Sequence, residues 1–249
     1  MNNKILKKIC GLFGYRLIDK KFFKNNRLIS SQSALSINKI LSELFKQNLI
    51  NSIVQIGAND GVRFDDLNEF INKHKVKSLL VEPIKSNFEK LQSKYNNLNF
   101  VKLENSAILM DKNICSLYKV DEKFLSYYGA HIPGITSFNK QHLLKHGVKK
   151  KHIIEEIINS ITIKELIDKH NIMDLDLFYI DTEGYDGKIV IDFLSSTNLK
   201  PVIIFEFIHI DNDIFENLLF QLNKNGYKTF SLNENAICFP NTKKISLSF

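Results

Sequence analysis

The chain alternates between two patterns of apolar and polar positions. Short runs of Val, Ile, Leu and Phe predict buried strands, whereas apolar residues that recur every three or four positions predict amphipathic helices. The short runs predict strands over 52–56, 78–82, 99–103, 175–180 and 202–207. The longer spacing predicts helices over 33–49, 62–74, 84–95, 162–170, 186–194 and 211–225.

Two regions depart from this regular alternation. Between 105 and 176 the pattern is weaker, with strands predicted over 116–120 and 152–158 and a helix near 139–146. Later in the sequence, two strand-like runs, 227–232 and 236–239, flank Asn233-Glu234-Asn235, which predicts a hairpin turn.

The order of these elements predicts an α/β fold. Continuous apolar strands that alternate with helices are typical of a mostly parallel sheet with helices on both faces. The hairpin would add an antiparallel strand to that sheet. We expect a single domain over 33–249, preceded by a basic extension over 1–32. In such sheets ligands bind beyond the carboxyl ends of the strands, where the strand order reverses. The polar residues that follow each strand are therefore the first candidates for function.

The net charge of the chain is concentrated in one segment. The chain carries a formal charge of +7, and residues 1–27 hold eight basic residues against one acid, so the rest is neutral. A neutral body argues against a nucleic-acid binder, which needs a basic face on the folded domain. Apolar residues lie among the lysines of the segment, so it predicts peripheral contact with an anionic membrane surface or a partner. A solvated extension is the open alternative.

Cysteine content and hydropathy bear on the compartment. Cys10, Cys115 and Cys238 are widely spaced and form no CxxC pair, which favours reduced thiols over a disulfide framework. No apolar run approaches the ~20 residues of a membrane span. The short apolar stretch after Lys7-Lys8 has no cleavage site. We therefore expect a cytoplasmic protein, peripheral at most to the inner face of the membrane, and a homo-oligomer stays open.

The first two strand ends carry a pattern typical of nucleotide binding. Gly57-Ala58-Asn59-Asp60-Gly61 follows the first strand, and its two glycines let backbone amides approach a ligand closely. Glu82 ends the second strand, where α/β sheets bind a ribose diol. Each feature alone also suits an ordinary turn or a solvated acid. Together they favour an adenosine-type ligand.

The later strand ends bring carboxylates and an imidazole. Asp181 and Glu183 leave a strand on the same side, and Glu206 lies in an apolar run that continues to His209. A buried acid is costly unless it is paired, hydrogen-bonded or metal-bound. The group could hold Mg²⁺ or Mn²⁺. Alternatively, one carboxylate could remove a hydroxyl proton as a general base, and Glu206 could be the structural partner of a buried donor.

Five segments occur in a fixed order along about residues 50–240: Val54–Gly61, Val81-Glu82-Pro83, Asn105-Ser106-Ala107, Ile180–Asp186 and Pro201–Glu206. This ordered set resembles the FkbM family of S-adenosylmethionine-dependent methyltransferases, which have a class I, Rossmann-like fold. Two positions depart from the family pattern. Gln55 stands where an acid is common, which removes a carboxylate often placed near the methionine moiety, and Thr182 stands where Val is typical.

The resemblance implies S-adenosylmethionine as the cofactor. The 57–61 loop would hold its methionine part, Glu82 would bind the ribose hydroxyls, and the segment 105–107 would lie beside the adenine. By position, the full cofactor-binding set is Gln55, Gly57, Ala58, Asn59, Gly61, Glu82, Pro83, Asn105, Ser106, Ala107 and Asp181.

The resemblance also implies the reaction. The family mostly methylates hydroxyl groups of sugars and other small metabolites. We therefore expect an O-methyltransferase that acts on a sugar hydroxyl, nucleotide-linked or part of a polysaccharide or capsule precursor. By similarity to metal-dependent class I O-methyltransferases, Asp181, Glu206 and His209 would bind Mg²⁺ or Mn²⁺. Glu183 would be the base near the acceptor hydroxyl, in a catalytic set with Asp181 and His209.

An acceptor-side insertion over about 108–160 is implied as well, with the irregular loop 127–138 inside it. His131, Ser137 and Tyr185 are the expected acceptor contacts. His142, His146 and the Lys149-Lys150-Lys151 run could meet the phosphates of a nucleotide-linked sugar, or they could lie on a solvated surface.

Two other functional classes stay open. A non-catalytic scaffold that binds the cofactor is disfavoured by the acids at 181, 183 and 206, which a dead enzyme need not keep. An NAD-dependent oxidoreductase is disfavoured because the 57–61 loop lacks the third glycine of a dinucleotide fingerprint.

Overall fold

The computed structural model of the chain describes residues 35–62, 66–110, 115–129 and 136–246. The strands are β1 (Ser52–Ile56), β2 (Lys77–Val81), β3 (Val101–Glu104), β4 (Ala107–Ile108), β5 (Cys115–Val120), β6 (Ile153–Ile158), β7 (Ser160–Ile161), β8 (Leu177–Ile180), β9 (Val202–Glu206), β10 (Tyr227–Leu232) and β11 (Asn235–Pro240). The α-helices are α1 (Ile37–Lys46), α2 (Asn68–His74), α3 (Lys85–Tyr95), α4 (Lys140–Lys145), α5 (Ile163–His170), α6 (Asp186–Ser196) and α7 (Asn212–Lys224). Short 3₁₀ helices cover Glu122–Tyr127 and Lys150–His152.

The main sheet has the architecture that the alternation predicted. Within the described residues it contains seven strands in the order β10-β11-β9-β8-β1-β2-β3. β9, β8, β1, β2 and β3 are parallel, and β11 runs antiparallel to both of its neighbours. The predicted hairpin is confirmed, because Leu232 pairs with Asn235 and leaves Asn233 and Glu234 as its turn. The class I, Rossmann-like prediction is therefore confirmed.

Helices cover both faces of this sheet. On one face, α5, α6 and α7 bury residues such as Leu166, Phe193 and Leu218, and on the other α1, α2 and α3 bury Leu41, Ile71 and Leu91. Strand side chains alternate between the two cores: Phe178 of β8 packs on the first face, and its neighbour Tyr179 packs on the second. Burial on both faces explains why the central strands consist mostly of apolar residues.

Two helix starts differ from the sequence prediction. α1 begins at Ile37 because Ser36 is its N-cap, with a side-chain oxygen that accepts from the amide of Lys39 at 3.2 Å. The helix predicted from Val62 begins at Asn68 instead. The Val62 amide donates to Oδ1 of Asp60 at 3.0 Å, so this residue belongs to a turn that the apolar spacing did not reveal.

The segment between β4 and β7 forms a separate layer of small elements. β4 and β7 pair as a two-stranded parallel sheet, and β5 and β6 form an antiparallel pair. α4, which lies between β5 and β6 in the chain, contacts β5. The domain division and the insertion stay predictions. The extension 1–32, with the basic segment 1–27, lies outside the described residues. Across the described ranges, no helix combines the length and apolarity that a membrane span requires.

Candidate functional site

A cavity of about 520 Å³ lies beyond the carboxyl end of β1, where the strand order reverses between β2 and β8. Loops that follow β1, β2, β8 and β9 meet there, together with the start of the β4–β7 layer. Its lining residues are Ile56, Gly57, Asn59, Glu82, Pro83, Asn87, Ser106, Ala107, Ile108, Leu117, Thr136, Phe138, His146, Asp181, Thr182, Glu183, Tyr185, Ile189, Glu206, Ile208, His209 and Glu234. Apolar walls with a few converging polar groups are typical of a small-molecule site.

The loop after β1 is shaped by Gly57. This residue has φ +85°, a conformation that L side chains rarely adopt, and a Cβ there would overlap the carbonyl oxygen of Asp181. Its amide and that of Ala58 both donate to the carbonyl of Val81, at 2.9 and 3.0 Å. The loop therefore turns tightly between β2 and β8 and brings the backbone of Asn59 into the cavity wall.

Glu82 is the buried acid on the other side of that loop. Its side chain is held from both ends: Oε2 accepts from the Asn59 amide and Oε1 from the Ile84 amide, each at 2.9 Å. Burial raises the pKa of Glu82 to about 7, against the opposing effect of these two hydrogen bonds. A carboxylate has about four acceptor positions, and the Asn87 side chain uses a third, so one remains for a donor in the cavity.

The loop after β8 carries the next two acids and is held in place by a third. Asp186, at the start of α6, is wholly buried and accepts from the amide and hydroxyl of Thr182 and from the amide of Gly184. Between them Glu183 takes a positive φ of 55°. The chain therefore turns at Glu183 and does not continue the direction of β8, which the spacing of Asp181 and Glu183 had assumed.

The side chains of Glu183, Glu206 and His209 converge at the far wall of the cavity. Oε2 of Glu183 and Oε2 of Glu206 lie 3.7 and 3.9 Å from Nε2 of His209. One ligand atom from each of the three lies within 4.8 Å of the others, which is close enough to share one ion. Asp181 lines the same cavity but belongs to neither of the potential metal-binding groups among the described residues.

The acids of this wall have raised pKa values. Burial, followed by the charge of neighbouring carboxylates, raises the pKa of Asp181 and of Glu183 to about 7 and that of Glu206 to about 8. Burial likewise lowers the pKa of His209. The site therefore favours either a proton or a bound cation near these oxygens, and its carboxylates can exchange protons near neutral pH.

Most of the residues expected from the sequence line this cavity, but five do not. Gln55 is buried within β1, and Ala58, Gly61 and Ser137 are also absent from the lining. Asn105 points away from the cavity because its amide donates to the carbonyls of Glu82 and Pro83, at 2.8 and 3.1 Å. These residues support the walls. His131 lies outside the described residues.

Two polar residues of the cavity, Asn87 and Glu234, had no expected role, and a third, His146, has other neighbours than expected. Asn87 hydrogen-bonds Glu82 through its side chain. Glu234, in the hairpin turn, reaches the cavity because β11 pairs with β9 and sets Asn235 opposite Glu206. His146, named for a possible phosphate contact, instead lies beside His209, with ring centroids 6.0 Å apart. Asp186 belongs to the Ile180–Asp186 motif that the sequence showed, whereas no local signal points to Glu234.

Replacing one acid of this wall is expected to stabilise the metal-free protein. Glu206→Gln removes a charge that repels Glu183, so we expect a gain of about 1–3 kcal/mol in the free energy of unfolding at about pH 8. Folding raises the pKa of Glu206 from 4.5 to about 8, so its cost to stability grows as the pH rises through this range and is full only above it. Protonation relieves this as the pH falls, and the gain should shrink at about pH 6. Urea unfolding in EDTA measures both values.

The matched control for this measurement is Glu216→Gln, on the exposed side of α7. It should change the free energy of unfolding by less than about 0.5 kcal/mol. An equal gain for both variants, or a gain at Glu206 that is independent of pH, would contradict the repulsion.

Comparison with known proteins bears on this site. The Methyltransferase FkbM domain matches residues 55–229, whereas no curated protein matches the sequence. Among solved structures, the chain is similar to methyltransferase FkbM from Methylobacillus flagellatus KT, with 14% identity and a TM-score of 0.47 over 77% of this chain and 44% of that one. The chain therefore spans less than half of that protein's length.

Two further solved structures are similar. Fibrillarin, the pre-rRNA processing protein from Methanococcus jannaschii, shares 11% identity with a TM-score of 0.40, over 76% of this chain and 65% of that one. An RNA methyltransferase from Salinibacter ruber, in complex with S-adenosyl-L-homocysteine, shares 7% identity with a TM-score of 0.40, over 86% and 99%.

The domain match begins within β1 and ends within β10, so it spans the parallel strands and every loop that forms the cavity wall from Gly57 to His209. It covers well over half of the chain. On this ground, the chain belongs to the FkbM methyltransferase family.

Proposed function

We propose that the chain transfers a methyl group from S-adenosylmethionine to a sugar hydroxyl. The observation that carries the proposal is one cavity with two chemically different ends. Glu82, with one acceptor position left, follows β2 on one side of β1, and Glu183 and Glu206, which belong to β8 and β9 and the loops after them, line the other side. The first suits the diol of an adenosine-type cofactor, and the second suits a hydroxyl group that must lose a proton.

The cofactor end fits S-adenosylmethionine through its donor set and its backbone. Glu82 accepts a hydrogen bond from a ribose hydroxyl, and the turn at Gly57 brings the Asn59 backbone beside the methionine part. Pro83, Ser106 and Ala107 form the wall on the adenine side. S-adenosylmethionine supplies the methyl group from a sulfonium centre, and alignment of donor and acceptor is a large part of the rate in such a transfer.

The acceptor end is built for a polar ring with flat apolar faces. Phe138 and Tyr185 line this part of the cavity and meet edge to face, with ring centroids 5.3 Å apart. Glu183 accepts the proton of the acceptor hydroxyl, and a pKa of about 7 lets it do so near neutral pH. A nucleotide-linked sugar is the acceptor class that we favour for the first screen.

A divalent ion is part of the proposal. Glu206 and His209, two of the three expected ligands, lie together beside Glu183, which stays the proposed base. Carboxylate oxygens with one imidazole suit Mg²⁺ or Mn²⁺. Such an ion lowers the pKa of a hydroxyl that it binds. Undiminished turnover in EDTA would remove the ion from the proposal.

Glu82→Gln is expected to weaken S-adenosylmethionine binding by about 30-fold or more, because each hydrogen bond to a charged group contributes roughly 1.5–3 kcal/mol. The wild-type affinity should also fall, up to about tenfold between about pH 8 and pH 6, as a carboxyl with a pKa of about 7 becomes protonated. Isothermal titration at both pH values measures these effects.

The variant should lack most of this pH dependence, which separates the titration of Glu82 from that of the cofactor itself. Glu89→Gln, at an exposed position of α3, is the control and should bind like wild type. If wild-type protein does not bind S-adenosylmethionine at any of these pH values, the proposed function is wrong.

Two alternatives predict different outcomes in the same assays. A scaffold binds the cofactor but transfers no methyl group in a screen of nucleotide-linked sugars with labelled cofactor. An NAD-dependent oxidoreductase binds NADH in a fluorescence titration. We also propose a cytoplasmic location, which the free thiols of Cys115 and Cys238 support. Contact of residues 1–27 with an anionic membrane is proposed from their charge and is tested by liposome sedimentation with and without them.

A further inference from the structure

Three imidazoles from two distant parts of the chain meet at the acceptor wall of the cavity. His142 lies in α4, and His146, four residues later, is its C-cap, so both side chains leave the same side of one helical turn. His209 comes from the loop after β9. One ring nitrogen of each residue lies within 4.8 Å of one ring nitrogen of the other two.

One buried nitrogen of this histidine cluster has no hydrogen-bond partner within the described part of the chain. Among the residues that the structure describes, Nε2 of His142 is buried and has no hydrogen-bond partner. Its nearest acid is Glu183, whose Oε2 lies 3.8 Å away, beyond a hydrogen bond. A buried polar atom without a partner costs about 1–3 kcal/mol, and a ligand that uses its lone pair would remove that cost.

We propose that His142, His146 and His209 bind a borderline transition-metal ion, of which Zn²⁺ is the type, with Glu183 as the adjacent counter-charge. Imidazole nitrogens suit Zn²⁺, Fe²⁺ and Ni²⁺, and three of them with one open position is a known catalytic zinc arrangement. Ligands about 2.05 Å from a tetrahedral ion stand about 3.3 Å apart. The ring nitrogens lie within 4.8 Å of one another, so a small change in the side-chain torsion angles would bring them to the distance that the ion requires.

His209 belongs both to this group and to the group with Glu183 and Glu206. Nε2 of His209 lies near Glu183 and Glu206, and one nitrogen binds only one ion, so an ion on this nitrogen belongs to one group or the other. Three nitrogen ligands favour a transition metal over Mg²⁺, which binds oxygen ligands and retains water. An ion held by the histidine group is therefore of the transition-metal class, and the choice between Zn²⁺ and Mg²⁺ distinguishes this group from the one with Glu183 and Glu206.

This assignment rests on the proposed function for its role and deepens it. His146, His209 and Glu183 line the cavity, so the open coordination position faces the acceptor. An acceptor hydroxyl or a water bound there would be more acidic than in solution. The existence of the site is nevertheless independent of methyl transfer, because it is a property of three side chains.

The test measures metal uptake by the full chain, prepared without a polyhistidine tag and stripped with EDTA. Zn²⁺, Co²⁺ and Mg²⁺ are titrated separately, with no cofactor or acceptor present. We expect one Zn²⁺ per chain by elemental analysis, and a visible absorption band on Co²⁺ binding that excess Mg²⁺ does not abolish. Protein that takes up no Zn²⁺, or that binds Mg²⁺ in preference to it, would overturn the assignment.

Variants then locate the ion. His142→Gln with His146→Gln, and His146→Gln alone, should lower Zn²⁺ affinity by at least about 10- to 100-fold and remove the Co²⁺ band. His74→Gln, at an exposed histidine of α2 outside the cluster, is the matched control and should keep both. Equal Zn²⁺ affinity in wild type and His146→Gln would also overturn the site. Unfolding temperatures in EDTA verify that each variant is folded.

The two proposals fail separately. Zn²⁺ uptake without any S-adenosylmethionine binding refutes the proposed function and keeps the metal site. Cofactor binding and turnover in a chain that takes up no Zn²⁺ refutes the metal site and keeps the proposed function.

Discussion

Glu183→Gln is expected to lower kcat by about 10²- to 10⁴-fold, the range over which a positioned general base acts. Gln has nearly the same shape as Glu but cannot accept a proton from the acceptor hydroxyl. The residue already has a positive φ of 55°, and the change leaves Cβ and the backbone strain as they are. The effect should therefore come from chemistry and not from the fold.

Cofactor binding separates this interpretation from a general disturbance of the site. Glu183 lies at the end of the cavity opposite Glu82, so the affinity of Glu183→Gln for S-adenosylmethionine should stay within about threefold of wild type. Glu216→Gln, far from the cavity on α7, should keep wild-type turnover. A kcat within about threefold of wild type for Glu183→Gln would show that another group removes the proton.

Gly57→Ala is expected to have the second large effect, because one added methyl group meets two obstacles. The backbone at Gly57 has φ +85°, which costs an L residue roughly 1–2 kcal/mol. In addition, the new Cβ would overlap the carbonyl oxygen of Asp181, which belongs to backbone and is held by its place at the end of β8. We expect a loss of more than about 3 kcal/mol in unfolding free energy, and loss of detectable cofactor binding.

Gly147→Ala separates the two obstacles. Gly147 has φ +81°, nearly the same as Gly57, but a Cβ there meets no atom within 4 Å. It should lose only the cost of the backbone conformation, about 1–2 kcal/mol, and should bind S-adenosylmethionine like wild type. Urea unfolding and isothermal titration of both variants test the difference. Equal losses would mean that the overlap with Asp181 relaxes at little cost.

The sheet and the strand ends were predictable because their signals are local. A strand buried on both faces is mostly apolar, so β8 and β9 show nearly continuous apolar runs, and β1 does so apart from the buried Ser52 and Gln55. The polar residue that follows such a run must lie at the carboxyl edge of a parallel sheet. Glu82, Asp181 and Glu206 could therefore be assigned to one crevice from the sequence alone.

Helix starts were less predictable, for a reason that the Val62 turn illustrates. Apolar spacing reports which side of a segment is buried, whereas the start of a helix depends on which backbone amides find other partners. The side chain of Ser36 accepts such an amide, and α1 begins after it, whereas Asp60 accepts the Val62 amide and holds that residue in a turn before α2. Asn105 is a similar case, since its amide serves two backbone carbonyls and not the cavity.

Local signals in the chain were sufficient to predict the mostly parallel sheet, the order of its strand-end motifs and the acids that end them, because each depends on neighbours within a few residues. Which distant groups meet depends instead on how the elements pack. The pairing of β11 with β9 brings Glu234 to Glu206, and the packing of α4 near the end of β9 brings His142 and His146 to His209. These contacts join residues that lie far apart in the chain. Hydrophobic periodicity describes only single elements, so the contacts depend on how the elements pack around the cavity.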